Sequence, residues 1–163
     1  MKNETYTELF RAIESIKIEN LNDDDKKELL KIFNHTENFA IRNQIALIFA
    51  EVHYHEAVPF ILKKINDEAL LNKNGTLVYS LESLHVKKHF IDLIKIVCEQ
   101  EYEARLMAYE IIENLLPSVS VRVGNRALKI LDEYQKKLQK SGSSNDANSK
   151  LHFIESTIAL LES

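Results

Sequence analysis

The same five-residue pattern returns four times along the chain: two apolar residues, a lysine, any residue, then an apolar one. It reads Leu29-Leu30-Lys31-x-Phe33, Ile61-Leu62-Lys63-x-Ile65, Leu93-Ile94-Lys95-x-Val97 and Ala127-Leu128-Lys129-x-Leu131, at spacings of 32, 32 and 34 residues. A fixed period of this size marks a stack of supersecondary units, none of which buries its apolar face without its neighbours. Only three Gly and two Pro occur in 163 residues, against abundant Leu, Ile, Glu, Lys and Ala. That balance argues against a turn-rich β fold and for an all-α one. A chain of this length buries roughly 68 to 70% of the surface exposed by its unfolded form, so a single domain spanning 1–163 is expected to fold without metal or disulfide.

The second period is the most regular. Ile41, Ile45, Ala46, Ile48, Phe49 and Val52 form one helical stripe; after His53-Tyr54-His55, the residues Ala57, Val58, Phe60, Ile61, Leu62 and Ile65 form another, with Pro59 in its first turn. The third period repeats the arrangement, with Leu77, Val78, Leu81 and Leu84 on one helix and Phe90 to Val97 on the next, and Asn74-Gly75 breaking the chain before it. The fourth runs from Ala104 to Leu115, stops at Pro117, and returns along a longer helix from about Asn125 to Lys140. Its connection, Val119 to Val123, reads as a loop. In the first and least regular period, Asn22-Asp23-Asp24-Asp25 marks a helix start, with acidic side chains at the positive end of the dipole. Core repeats thus cover about 7–140. A flexible linker is expected over 141–149, and a short amphipathic helix over 150–162 that serves as a lid or a partner-binding segment.

Ile41-Arg42-x-x-Ile45-Ala46-x-Ile48-Phe49-Ala50-x-Val52, followed by Glu56-Ala57-Val58-Pro59-Phe60-Ile61-x-x-Ile65, resembles the HEAT repeat. Helical pairs of that family carry an Arg near the start of the first helix and a Pro opening the second. Asn74 stands at the Arg position of the third period and Ile91 at its Pro position; Arg105 keeps the Arg in the fourth, and His53 and His85 occupy the usual turn glycine. The resemblance implies a right-handed α-solenoid of about four helical hairpins, with protein binding as its commonest use. HEAT-like deoxyhypusine hydroxylases hold iron through several His-Glu pairs, of which this chain has one, His55-Glu56, at a different place in the hairpin. HEAT-like DNA glycosylases rely on tryptophan, which is absent here.

Catalytic signatures are lacking. Gly75, Gly124 and Gly142 stand alone, so no phosphate-cradling loop can be built, and the single Cys98 sits among apolar neighbours where a thiolate is disfavoured. His53, His55, His85 and His89 form the one set resembling metal ligands, with 53 and 85 at equivalent positions. Without a clustered third ligand type they are expected to hold no metal. No cofactor is expected, and the chain is expected not to be an enzyme. The start, with Asn3, Glu4 and Thr5, does not read as a secretory signal, and the longest apolar run, Ile45 to Ala50, is far too short to span a membrane. A cytoplasmic monomer follows as the expectation.

The repeated lysine points away from each apolar stripe at 100° per residue, so Lys31, Lys63, Lys95 and Lys129 are expected on an exposed face. Glu28 and Asp92 stand three residues before two of them as ion-pair partners, while Phe60, Arg122 and Arg126 enrich the same wall. The expected function is a non-catalytic scaffold that binds another protein through this wall, for example a bacterial immunity or antitoxin-like inhibitor. Nucleic-acid binding along the lysine ridge is the alternative, against which the net charge of −4 argues. A metal-dependent enzyme at the histidine edge is the third reading.

Overall fold

The computed structural model describes residues 2–67, 73–141 and 149–163. All regular structure among them is helical: α1 (Lys2–Glu14), α2 (Asp23–His35), α3 (Phe39–Glu51), α4 (Val58–Ile65), α5 (Gly75–Leu81), α6 (Phe90–Glu99), α7 (Tyr102–Leu115), α8 (Val121–Lys140) and α9 (Lys150–Glu162), with short 3₁₀ turns between several of them. The expected 141–149 linker lies, except for its end residues, outside the described residues. None of the described helices is long and apolar enough to cross a membrane. The helices fall into two compact units, one ending at His85 and the other beginning at Val86.

Short polar residues cap α2, α3, α8 and α9. Asn22 accepts from the backbone N–H groups of Asp24 and Asp25 while the Asp25 carboxylate accepts from the Asn22 N–H at 3.0 Å, a capping box that satisfies donors the helix itself leaves unpaired. Asn38 caps α3 and Ser149 caps α9 with side-chain oxygens that accept from N–H groups of the first turn. Pro59 lies in the first turn of α4, where its missing N–H removes no helix bond. The expected loop at 119–123 needs correction. Ser120 accepts from the Val123 N–H, so α8 begins at Val121, four residues before Asn125, and only the approach to it is irregular. The serine between the alternating valines is a helix cap. Likewise α5 ends at Leu81, and Leu84 is buried in the turn that follows rather than on the helix.

In the first unit α3 is the central element and packs against α1, α2 and α5. Ile41, Ile45, Ala46 and Phe49 are fully buried there, and Phe33 of α2 meets Phe49 edge to face with ring centroids 5.9 Å apart. The unit also encloses a fully buried arginine. Arg42 donates to the Asn74 side chain at 3.2 Å, to the Lys73 carbonyl and to Asn43, while Asn74, itself fully buried, donates to the Ile65 carbonyl at 2.9 Å. Position 74 lies 32 residues after position 42, the spacing of the repeated lysine motif. The Asn one sequence period after Arg42 is therefore its acceptor.

In the second unit α6 is central and packs against α7, α8 and α9. Leu93, Ile94 and Val97 are fully buried. The C-terminal helix is an integral layer: Leu151, Phe153, Ile154 and Thr157 are buried, and Phe153 lies against Tyr102, Tyr109 and the Arg105 guanidinium. Polar ties reinforce this packing. Lys150 donates to the Glu99 carbonyl at 2.9 Å, and the Tyr134 hydroxyl donates to the Glu99 carboxylate.

Candidate binding surface

The repeated motif divides in space as its helical periodicity requires. Leu29 and Phe33, Ile61 and Ile65, Leu93 and Val97, and Ala127 and Leu131 are buried at all four sites. Lys31, Lys63, Lys95 and Lys129 are exposed at all four. Each lysine stands on the far side of its helix from the apolar stripe, because residues one or two positions from a stripe fall off it at 100° per residue.

Within the first unit, Lys31 pairs with Glu28, three residues earlier on α2; both side chains are two-thirds exposed, so water screens most of the attraction. Lys63 shares a face of α4 with Phe60, one turn earlier, which keeps 37% of its surface in solvent. In the second unit Lys95 does not take Asp92 as its partner. The Asp92 carboxylate instead meets Nδ1 of His89 at 3.1 Å, because His89 opens α6 and lies one turn before it. Arg122, Arg126 and Lys129 are exposed on α8 and form no ion pair among the described residues.

The histidine edge of the first unit is a hydrogen-bonded stack. His53 takes a left-handed backbone conformation, φ +49°, just past the end of α3, where a glycine is the common choice. Its Nδ1 faces the Ser83 carbonyl at 3.1 Å, which assigns the proton to Nδ1. The His55 ring stacks on His85 with centroids 3.5 Å apart, and its Nδ1 accepts from the His85 backbone N–H at 3.3 Å. Loss of hydration, then the neighbouring His85 and His53, hold the His55 ring below the ordinary histidine pKa, with Glu56 opposing. Among the described residues, no group of three His, Cys, Asp or Glu side chains is placed to hold a metal ion. Cys98 is buried on α6, and burial, followed by the adjacent Glu99, pushes its thiol pKa up to about 12. A thiolate is disfavoured there at neutral pH.

Sequence reasoning missed part of the cationic surface. Lys136, Lys137 and Lys140 continue the exposed face of α8 beyond Lys129, and Val121, 80% exposed, stands at its start. The three-to-four residue spacing of these cations is legible in the sequence, and Arg122, Arg126 and Lys129 are expected on this wall from it; Lys136, Lys137 and Lys140 extend it. No protein-family model, curated protein or solved structure matches the chain.

Proposed function

We propose that the chain is a HEAT-like α-solenoid acting as a non-catalytic, protein-binding scaffold that holds its partner through the exposed faces of α2, α4, α6 and α8. An inhibitor of the immunity or antitoxin type is a concrete form, since such a protein needs only a rigid complementary surface. The observation that carries the reading is the fourfold recurrence of an exposed lysine between two buried apolar residues, the first and last of each motif. Folding explains the buried residues, because burial of each such side chain contributes roughly 1.5 to 3 kcal/mol. It does not account for a cation at every equivalent position. The helix contacts are consistent with the repeat architecture: α1, α3 and α5, the first helices of three successive hairpins, pack in chain order in the first unit, and the second helices α6 and α8 pack together in the second.

The test is capture of the partner from the native host with the tagged chain, followed by identification of the bound species. Lys63→Glu combined with Lys95→Glu should weaken capture while stability changes by no more than about 0.5 kcal/mol, as for other exposed substitutions. Wild-type capture by the double variant, or nucleic acid as the bound species, would refute the reading.

A further inference from the structure

Helix α8 carries more cations on one face than its own stability calls for, since only Lys137 and Lys140, in the last turn, suit the negative end of its dipole. Arg122, Arg126, Lys129, Lys136, Lys137 and Lys140 are all exposed. At 3.6 residues per turn they fall within a sector about 100° wide and run about 27 Å along the axis. The buried Ala127 and Leu131 face the other way. The second unit has as many acidic as basic residues in its sequence, yet six of its eleven cations gather on this one face. Among the described residues, Lys136 is the one of the six in an ion pair, with Asp132 at 2.6 Å, and Lys137 lies over the Tyr134 ring at 5.2 Å. Arg122 sits in the first turn, which has no acidic residue, so the positive end of the helix dipole opposes it.

The stripe has an internal sign change. Glu133 is exposed in the middle of the same sector, with Lys129 before it and Lys136 and Lys137 after it. A uniformly negative strand of phosphates would meet this carboxylate at the centre of its track. A protein segment can instead place a cation there. Rises of about 6, 4.5, 10.5 and 6 Å separate Arg122, Arg126, Lys129, Lys136 and Lys140, and carboxylates three, four or seven residues apart on a partner helix repeat the same rises. Arginine at two positions favours carboxylate oxygens, which its planar fork meets two at a time.

We propose that the exposed face of α8 docks an acidic helical segment of another protein, whose carboxylates recur every three to four residues and whose run is broken by a basic residue opposite Glu133. This rests on the protein-binding reading above and specifies the chemistry of the partner.

Three labelled probes test it against the full-length chain by fluorescence anisotropy at low and physiological salt. These are a synthetic Glu/Ala helical peptide with one central lysine, the same peptide with glutamate at the centre, and a short DNA duplex of mixed sequence. The lysine-centred peptide should bind about fivefold or more tightly than either competitor, since a like charge set against Glu133 is penalised. Arg126→Glu with Lys129→Glu should weaken that binding about tenfold with an unchanged circular dichroism melt, and Glu133→Lys should reverse the preference between the two peptides. Equal binding of the peptides, tighter binding of the duplex, no binding of any probe, or indifference to the α8 substitutions would overturn the proposal. If this happens while native-partner capture still depends on Lys63 and Lys95, the protein-binding reading stands and the contact lies off α8. If that capture fails while the α8 results hold, the site on α8 stands alone.

Discussion

Replacing Asn74 by leucine tests whether the buried Arg42 network holds the first unit together. Both side chains are fully buried, and the Asn74 amide does two things: its oxygen accepts from Arg42 at 3.2 Å and its nitrogen donates to the Ile65 carbonyl at 2.9 Å. Leucine fills similar space without either function. Loss of a hydrogen bond to a charged group costs about 1.5 to 3 kcal/mol, and depriving a buried carbonyl of a donor costs about 1 to 3 kcal/mol. Allowing for relaxation, Asn74→Leu should destabilise the fold by about 2 to 5 kcal/mol. Arg42→Leu should be comparably severe, because it strips partners from Asn74, Asn43 and the Lys73 carbonyl at once. The double variant should cost less than the sum of the two by about 0.5 to 3 kcal/mol, since residues sharing one network couple. Urea melts followed by far-ultraviolet circular dichroism give the free energies. Hydrogen exchange at α3 and α5 amides checks that the loss falls in the first unit. A cost below about 1 kcal/mol for Asn74→Leu, or additivity within about 0.5 kcal/mol, would refute the argument.

The His55 stack makes the first unit acid-sensitive. Its ring is held below the ordinary histidine pKa by lost hydration, His85 and His53, against Glu56, so the unfolded chain takes up a proton first as pH falls. Stability should therefore be flat above a pH of about 6.5, and should decline below it until the folded ring also protonates. Unfolding measured across this range in His55→Asn, which keeps an acceptor for the His85 N–H, should show a shallower decline; an unchanged slope would remove His55 as the cause. Cys98 should react with a thiol reagent at neutral pH only as fast as the second unit opens, because its thiol is buried with a pKa of about 12. Rapid stoichiometric labelling of the native protein would contradict the burial.

Helix identity, helix number in the repeated region and the inward face of each helix follow from the sequence alone. The reason is local: a 3.6-residue apolar period, an Asn or Ser cap and an early proline act within a turn or two of themselves. Thus Asn22, Pro59 and the four lysine motifs do in the structure what their spacing implies. The start of α8 is local in the same sense, since Ser120 caps it within one turn although valines alternate on either side of that serine. The exposed stripe on α8 was likewise present in the spacing from Arg122 to Lys140, but it becomes one surface only when all of those residues share one helix.

What local rules do not contain is pairing across sequence separations of tens of residues. Nothing local to Arg42 shows that the fold will bring Asn74, 32 residues away, to it as an acceptor. The stacking of His55 on His85, the hydrogen bond from Tyr134 to Glu99 and the seating of α9 against α6, α7 and α8 are decisions of the same kind. Each depends on where a distant backbone segment comes to rest. That placement is set by the summed burial of many apolar side chains, and the polar partners are chosen by whatever geometry this burial leaves within hydrogen-bonding reach.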